Sequence, residues 1–280
     1  MPNGFLLPLL VEFGEEKLVM EDVESSDFGI FIHGTLEKLF TPFAQRDKEG
    51  NFISPPPKAL EIEDVNKMIV DFPAIMRGEF MVKFNQDATL FATGKNLLSF
   101  EMANEITLKT LLAEITYLQG LTEPLYIEQV EASMTASLSV VIGAETKQIL
   151  VKGYIDRIDR VGDRYRILDY KTGKAESKHV DFNLKPSGVK ESFASAKHTL
   201  QLTLYCLLFK EKYNIDAHEA AILSLITTKG HIYPLQYKGE PKEELQALLV
   251  ELLQEVITEL YDLESPFTHN ESSKYCSYCQ

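Results

Sequence analysis

The sequence predicts a mixed α/β fold: a mixed central sheet flanked by helices, with a helical arm beside it. Three observations predict it. Before residue 120, apolar residues recur at helical spacing. From residue 125 the chain turns to β-branched and aromatic runs divided by short turns that contain glycine. After residue 195, helical and strand-like segments alternate, as expected when helices cover both faces of a sheet.

Taken in order, residues 26–47 read as a helix. Ser25, Ser26 or Asp27 can cap it, and Phe31, Ile32, Leu36, Leu39 and Phe40 form its apolar stripe. Three consecutive prolines break the pattern between Asn51 and Lys58. Helical periodicity resumes over 59–120, so 48–122 is expected to be a helical insertion. The α/β core is expected over 123–240. It begins with LYIEQVEASMTASLSVVI, QILVKGYIDRID and RYRILDYKTG, three strands of an antiparallel meander. Residues 174–197 are polar and carry Lys174, Lys178, Lys185, Lys190 and Lys197, which reads as a loop. A helix over 195–213, strands over 218–228 and 231–237, and an amphipathic helix over 241–263 complete the expected single domain, 1–280.

Composition narrows the function classes. Of 280 residues, 45% are hydrophobic and 25% charged, an ordinary globular balance. No apolar run reaches the roughly 20 residues of a membrane span. The start lacks a secretory pattern. Three cysteines indicate no disulfide framework, so a reducing cytoplasmic setting is expected. The net charge of −14 argues against a simple basic face for nucleic acid. Carboxylates that hold a cation would contribute to that charge, and the cation would reverse the local field.

The strands 149–160 and 164–172 are separated by Val161-Gly162-Asp163. A two-residue Gly162-Asp163 loop suits a type II′ turn and makes Val161 oppose Arg164. In that register Ile158 faces Ile167, Asp156 faces Asp169 and Tyr154 faces Lys171. Like charges directly opposite each other destabilise a sheet, and desolvation worsens the conflict. A divalent cation removes it. Mg²⁺ takes one or two carboxylates and keeps several waters, and a metal-bound water becomes a usable nucleophile. Lys171, on the same face as Asp169, can stabilise charge growing on a phosphate. The bland alternative is an exposed, charge-studded hairpin with an ordinary Asp169–Lys171 ion pair.

The runs G-Y-I-D-R-I-D (153–159), I-L-D-Y-K-T-G (167–173) and Q-L-T-L-Y (201–205), with F-G-I-F-I-H-G-T-L-E-K-L-F (28–40), resemble the ordered motifs of the RecB-type branch of the PD-(D/E)XK nuclease superfamily. The likeness is greatest to the C-terminal nuclease domain of AddB-like helicase–exonucleases. The resemblance implies a restriction-endonuclease-like core and Mg²⁺- or Mn²⁺-dependent hydrolysis of DNA. It implies a helicase domain or subunit as partner, in double-strand-break repair. Residue by residue, it implies that Asp156, Asp169 and the backbone carbonyl of Tyr170 ligate metal, with His33 approaching from another side. Lys171 is then the catalytic lysine. Gln201 and Tyr205 contact DNA or support the site. Glu131, rather than Glu128, faces it in a supporting role.

In the same branch a 4Fe–4S cluster often uses one cysteine upstream of the histidine helix and three near the C-terminus. Here Cys276 and Cys279 supply two candidate ligands, and no cysteine precedes His33. The expectation is a fragment of a longer protein, without an intact cluster in this form. Cys206 reads as a buried thiol. Two other readings compete: a catalytically silent DNA-binding or scaffolding domain, and an unrelated α/β hydrolase with an exposed carboxylate pair.

Overall fold

The computed structural model describes residue 23 and residues 25–173, 175–226, 231–237, 242–262 and 264. Helix α1 spans Ser25–Phe40 and is shorter than the periodicity predicts. Pro42 enters a 3-10 turn, Thr41–Phe43, and Ala44 then turns extended. The chain can therefore run along the sheet edge, where Gln45 and Arg46 donate backbone N–H groups to Ile127 and Glu128. Helices α2 (Ile62–Lys83) and α3 (Gly94–Gln119) form the antiparallel arm. Helix α2 starts at a capping box in which Glu61 and Asp64 satisfy each other's backbone N–H.

Strands β1 (Leu125–Ile142), β2 (Glu145–Val161) and β3 (Arg164–Lys171) form the expected antiparallel meander. Gly162 has φ +57 while Asp163 does not share the positive φ, the type II′ pattern. Strand β5 (Glu219–Ser224) pairs parallel with β3, and β6 (His231–Pro234) pairs antiparallel with β5. The five-stranded order is β1-β2-β3-β5-β6. The crossover from β3 to β5 carries helix α5 (Lys197–Tyr213), as a parallel connection requires.

Residues 174–197 are not the irregular loop their composition predicts. They contain a 3-10 turn (Ser177–His179), strand β4 (Asp181–Phe182) and helix α4 (Val189–Ser195). Strand β4 pairs parallel with β7 (Gln236–Tyr237). A few apolar anchors outweigh the lysines: Phe182 and Phe193 are fully buried against Leu245 and Leu249 of helix α6 (Lys242–Tyr261).

The sheet separates two cores. On one face α1, α2 and α3 pack on Ile127, Val130, Leu168 and Tyr170. On the other, α5 packs on Ile155, Ile158, Ile167 and Ile222. The arm is clamped to the first face by ions. Arg157, fully buried, binds Glu114 of α3 through Nη1 and Nη2 at 3.0 and 2.7 Å, and Asp159 at 2.6 Å. Arg166 reaches the other Asp159 oxygen at 2.7 Å. Burial opposes the Arg157 charge, but Asp159 and Glu114 overcome it and hold the guanidinium protonated.

Candidate active site

The β2–β3 ladder runs from Val161–Arg164 to Arg157–Leu168 and stops there. The turn register is as the sequence predicts, but Asp156–Asp169 and Tyr154–Lys171 do not continue it as cross-strand pairs. Instead β2 leaves β3. Asp156 turns into the gap, where Oδ2 accepts the backbone N–H of Tyr170 at 2.5 Å. The two carboxylates therefore share a fork rather than a flat ladder. The electrostatic conflict persists: Asp169 is pushed up to about 6, first by burial and then by the Asp156 charge.

Strand β1 deforms at the same level. Its register against β2 shifts between Ile127 and Gln129, and Glu131 has φ +49, a left-handed conformation rare for a residue with a side chain. On the two sides of this kink Val130 belongs to one core and Ala132 to the other. Glu131 is thereby released toward Asp156. Burial, then the charges of Asp156 and Glu37, push its carboxyl up to about 7. Glu128, the competing glutamate, is committed elsewhere, 2.6 Å from Arg160 and 3.8 Å from Arg46.

Helix α1 brings His33 to the fork from the arm side. Its approach is close, since a Cβ on Gly29 would meet the Thr172 hydroxyl at 2.9 Å. His33 Nδ1 lies 3.6 Å from Asp156 Oδ1, and its ring stands edge-on to Tyr170 at 5.7 Å. Burial disfavours charge on the imidazole. The hydrogen bond and charge of Asp156, with Glu131 and Asp169, outweigh it and raise its pKa. From the opposite face α5 delivers Gln201 and Tyr205. Gln201 Nε2 donates to Asp169 Oδ1 at 2.9 Å and contacts the Tyr205 hydroxyl at 2.7 Å. Lys171 Nζ lies 2.6 Å from Asp169 Oδ2.

These residues fit a divalent cation. His33, Glu131 and Asp156 each offer a ligand atom, all within 4.8 Å of one another. Asp169 Oδ2 is buried and forms an ion pair with Lys171. A cleft of about 500 Å³ opens on the α1 side, lined by His33, Glu131, Glu37 and Glu79. A more enclosed cavity of about 350 Å³ lies beyond α5, between Cys206, His218 and Leu245, and shares no residue with the cleft. Cys206 is half-buried, and Cys276 and Cys279 lie outside the described residues.

The model of the PD-(D/E)XK nuclease superfamily matches residues 8–280. The chain belongs to this superfamily. Its mixed sheet flanked by helices is the restriction-endonuclease-like fold, and membership makes it a metal-dependent nuclease of a family that binds DNA. No curated protein matches the chain. Among solved structures it is similar to a protein described as an exonuclease from Eubacterium rectale, at 14% identity and TM-score 0.44, covering 92% of this chain and 94% of that one. It is similar also to SSO0001, at 13% identity and TM-score 0.32, covering 90% and 93%. Protein VC1899 from Vibrio cholerae aligns at 13% identity and TM-score 0.23, covering 86% of this chain and 58% of that one. Among the described residues no helix is long and apolar enough to cross a membrane.

The spacing arguments brought Asp156, Asp169 and Lys171 to one place, and the family resemblance added His33, Gln201 and Tyr205. What they missed is that Glu131 sits with His33 and Asp156 rather than behind them. They also missed the Glu114–Arg157–Asp159–Arg166 cluster under the fork.

Proposed function

We propose that the chain is an Mg²⁺- or Mn²⁺-dependent deoxyribonuclease, exonucleolytic, working in the cytoplasm beside a helicase domain or subunit in double-strand-break repair. The RecB-type, AddB-like resemblance of its ordered motifs supports the repair setting. The observation that carries the nuclease reading is the fork. His33, Asp156 and Asp169 converge from three separate elements, with Lys171 beside Asp169.

In this reading His33, Asp156, Glu131, Asp169 and the carbonyl of Tyr170 hold the cation. When bound, the cation supplies an acidified water and neutralises charge on the scissile phosphate. The protein does the rest. Lys171 places a positive charge at the fork, where it can orient the attacking water and stabilise the phosphate oxygens as their charge grows. Gln201 fixes one Asp169 oxygen, and the Tyr205 hydroxyl in turn contacts the Gln201 amide, so the carboxylate presents its other oxygen to the site. The Tyr170 N–H locks Asp156 in the gap.

The test is degradation of end-labelled single- and double-stranded DNA in Mg²⁺ and in Mn²⁺. Wild type should shorten labelled ends, while Lys171→Ala and Asp169→Ala lose activity by at least about 100-fold, the scale of removing an electrostatic catalytic group. Undiminished activity in both variants would reject the fork as the site. DNA binding without any degradation would point to a silent scaffold.

A further inference from the structure

Beyond Arg157, strand β2 has no β3 partner. It continues with β1 as a two-stranded ribbon, from Ala132–Ile155 to Ile142–Glu145. One face of this ribbon is covered. Ala132, Met134, Ala136 and Ile155 are buried in the core below α5. Gly153 lies so close to α5 that a Cβ would meet Leu208 at 2.8 Å. At the far end, Gln254 of α6 bonds the Val141 backbone.

The other face is open. On β2 it presents Leu150 (71% exposed), Lys152 and Tyr154 (54% exposed); on β1 the partners of these residues are Ser137, Thr135 and Ser133. Lys152 Nζ stands 4.8 Å from the centre of the Tyr154 ring. Tyr154 is two residues from Asp156, a step of ~6.6–6.8 Å along a strand. Its cross-strand partner Ser133 is likewise two residues from Glu131. The open face therefore leads to the carboxylates of Asp156 and Glu131.

We propose that this face is the track along which a single strand of DNA reaches the fork, an inference that rests on the nuclease reading. Each side chain suits that ligand. A ring and an isobutyl group offer surfaces on which unpaired bases stack, whatever their sequence. An ammonium beside the ring meets the phosphate of a base stacked there. The Ser133 and Thr135 hydroxyls can donate to neighbouring phosphate oxygens, while Ser137 already donates to Gln148 at 2.9 Å.

The same inventory disfavours a duplex, whose bases cannot stack on Tyr154 and whose binding relies on many cations. The chain carries a net charge of −14, and Lys152 is the only cation among these six outward residues. A protein partner fits less well, since the apolar groups are split by Lys152 and bordered by hydroxyls rather than joined in a patch.

The experiment measures binding of fluorescein-labelled oligothymidylate and of a hairpin duplex by anisotropy in Mg²⁺, with Lys171→Ala in every protein to block cleavage. Tyr154→Ala should weaken single-strand binding about tenfold or more, with little change for the duplex. Tyr154→Phe should retain the affinity, and Lys152→Gln should lower the salt slope by about one. Val70→Ser, an exposed apolar site on the arm (77% exposed), is the control and should bind as the parent does. With Lys171 intact, Tyr154→Ala should raise KM more than it lowers kcat. Unchanged single-strand affinity in Tyr154→Ala, or equal losses for both DNAs, overturns the track. Cleavage by the wild type with no effect of Tyr154→Ala defeats the track alone. A wild type that cleaves no DNA defeats the nuclease reading, while the anisotropy still decides the track.

Discussion

Asp156 accepts the backbone N–H of Tyr170 through Oδ2 at 2.5 Å, at the point where the strands carrying the two residues have stopped pairing. One side-chain oxygen replaces a lost ladder bond. The other, Oδ1, is turned toward His33. The carboxylate thus closes the fork mechanically and, in the proposed function, holds the cation.

Removing it should separate those roles. A divalent ion that binds only the native state stabilises it by about 2.7 kcal/mol at a hundredfold excess over Kd, a shift of several degrees in a domain of this size. Thermal unfolding of the wild type should rise with Mg²⁺ or Mn²⁺, and that of Asp156→Ala should not. Equal shifts in both proteins would place the ion elsewhere.

The metal-free protein should lose stability as pH rises. Glu131 moves from 4.5 to about 7 and Asp169 from 3.8 to about 6, each through burial first and the Asp156 charge second. His33 is raised as well, because its acidic neighbours outweigh its burial. In all three cases the native state binds more protons than the unfolded chain, so stability falls with pH across the window between these values. In EDTA, the melting temperature should decline between about pH 5 and 7.5, and less so in Glu131→Gln. Added Mg²⁺ should stabilise more at the upper end, where protons no longer compete for the carboxylates. A flat metal-free profile would count against this account.

The arm should depend on Glu114. Arg157 is buried, and deleting one partner of a buried ion pair strands the other at a cost of about 3–5 kcal/mol. Urea unfolding of Glu114→Ala should show a loss of that order. A loss below about 1 kcal/mol would mean that Asp159 alone satisfies the guanidinium.

Much of this was legible in the chain. The Gly162-Asp163 turn fixed the hairpin register through five pairs, and with it the parity that sets Asp169 and Lys171 together. The same register opposes Asp159 to Arg166, so the buried ion cluster had a signal in D-R-I-D-R facing R-Y-R. Burial, which makes that cluster matter, comes from Phe40 of α1 and Tyr117 of α3, whose rings cover Arg157 and Arg166. The fork was not legible, because a register carries no information about where a ladder ends. Nor was β4, since two phenylalanines in a lysine-rich stretch look like noise until α6 covers them. The family resemblance favoured Glu131 over Glu128 but could not show that its backbone leaves the strand conformation.

That departure has a meaning of its own. A left-handed residue with a side chain costs about 1–3 kcal/mol, which glycine would avoid. Position 131 keeps a glutamate at φ +49 nonetheless, and beside two other acidic groups that resist its ionisation. Backbone and charge are both unfavourable at this one residue. Folding alone gives no reason for this choice; in the proposed function, position 131 gives up robustness to hold a carboxylate at the cation site.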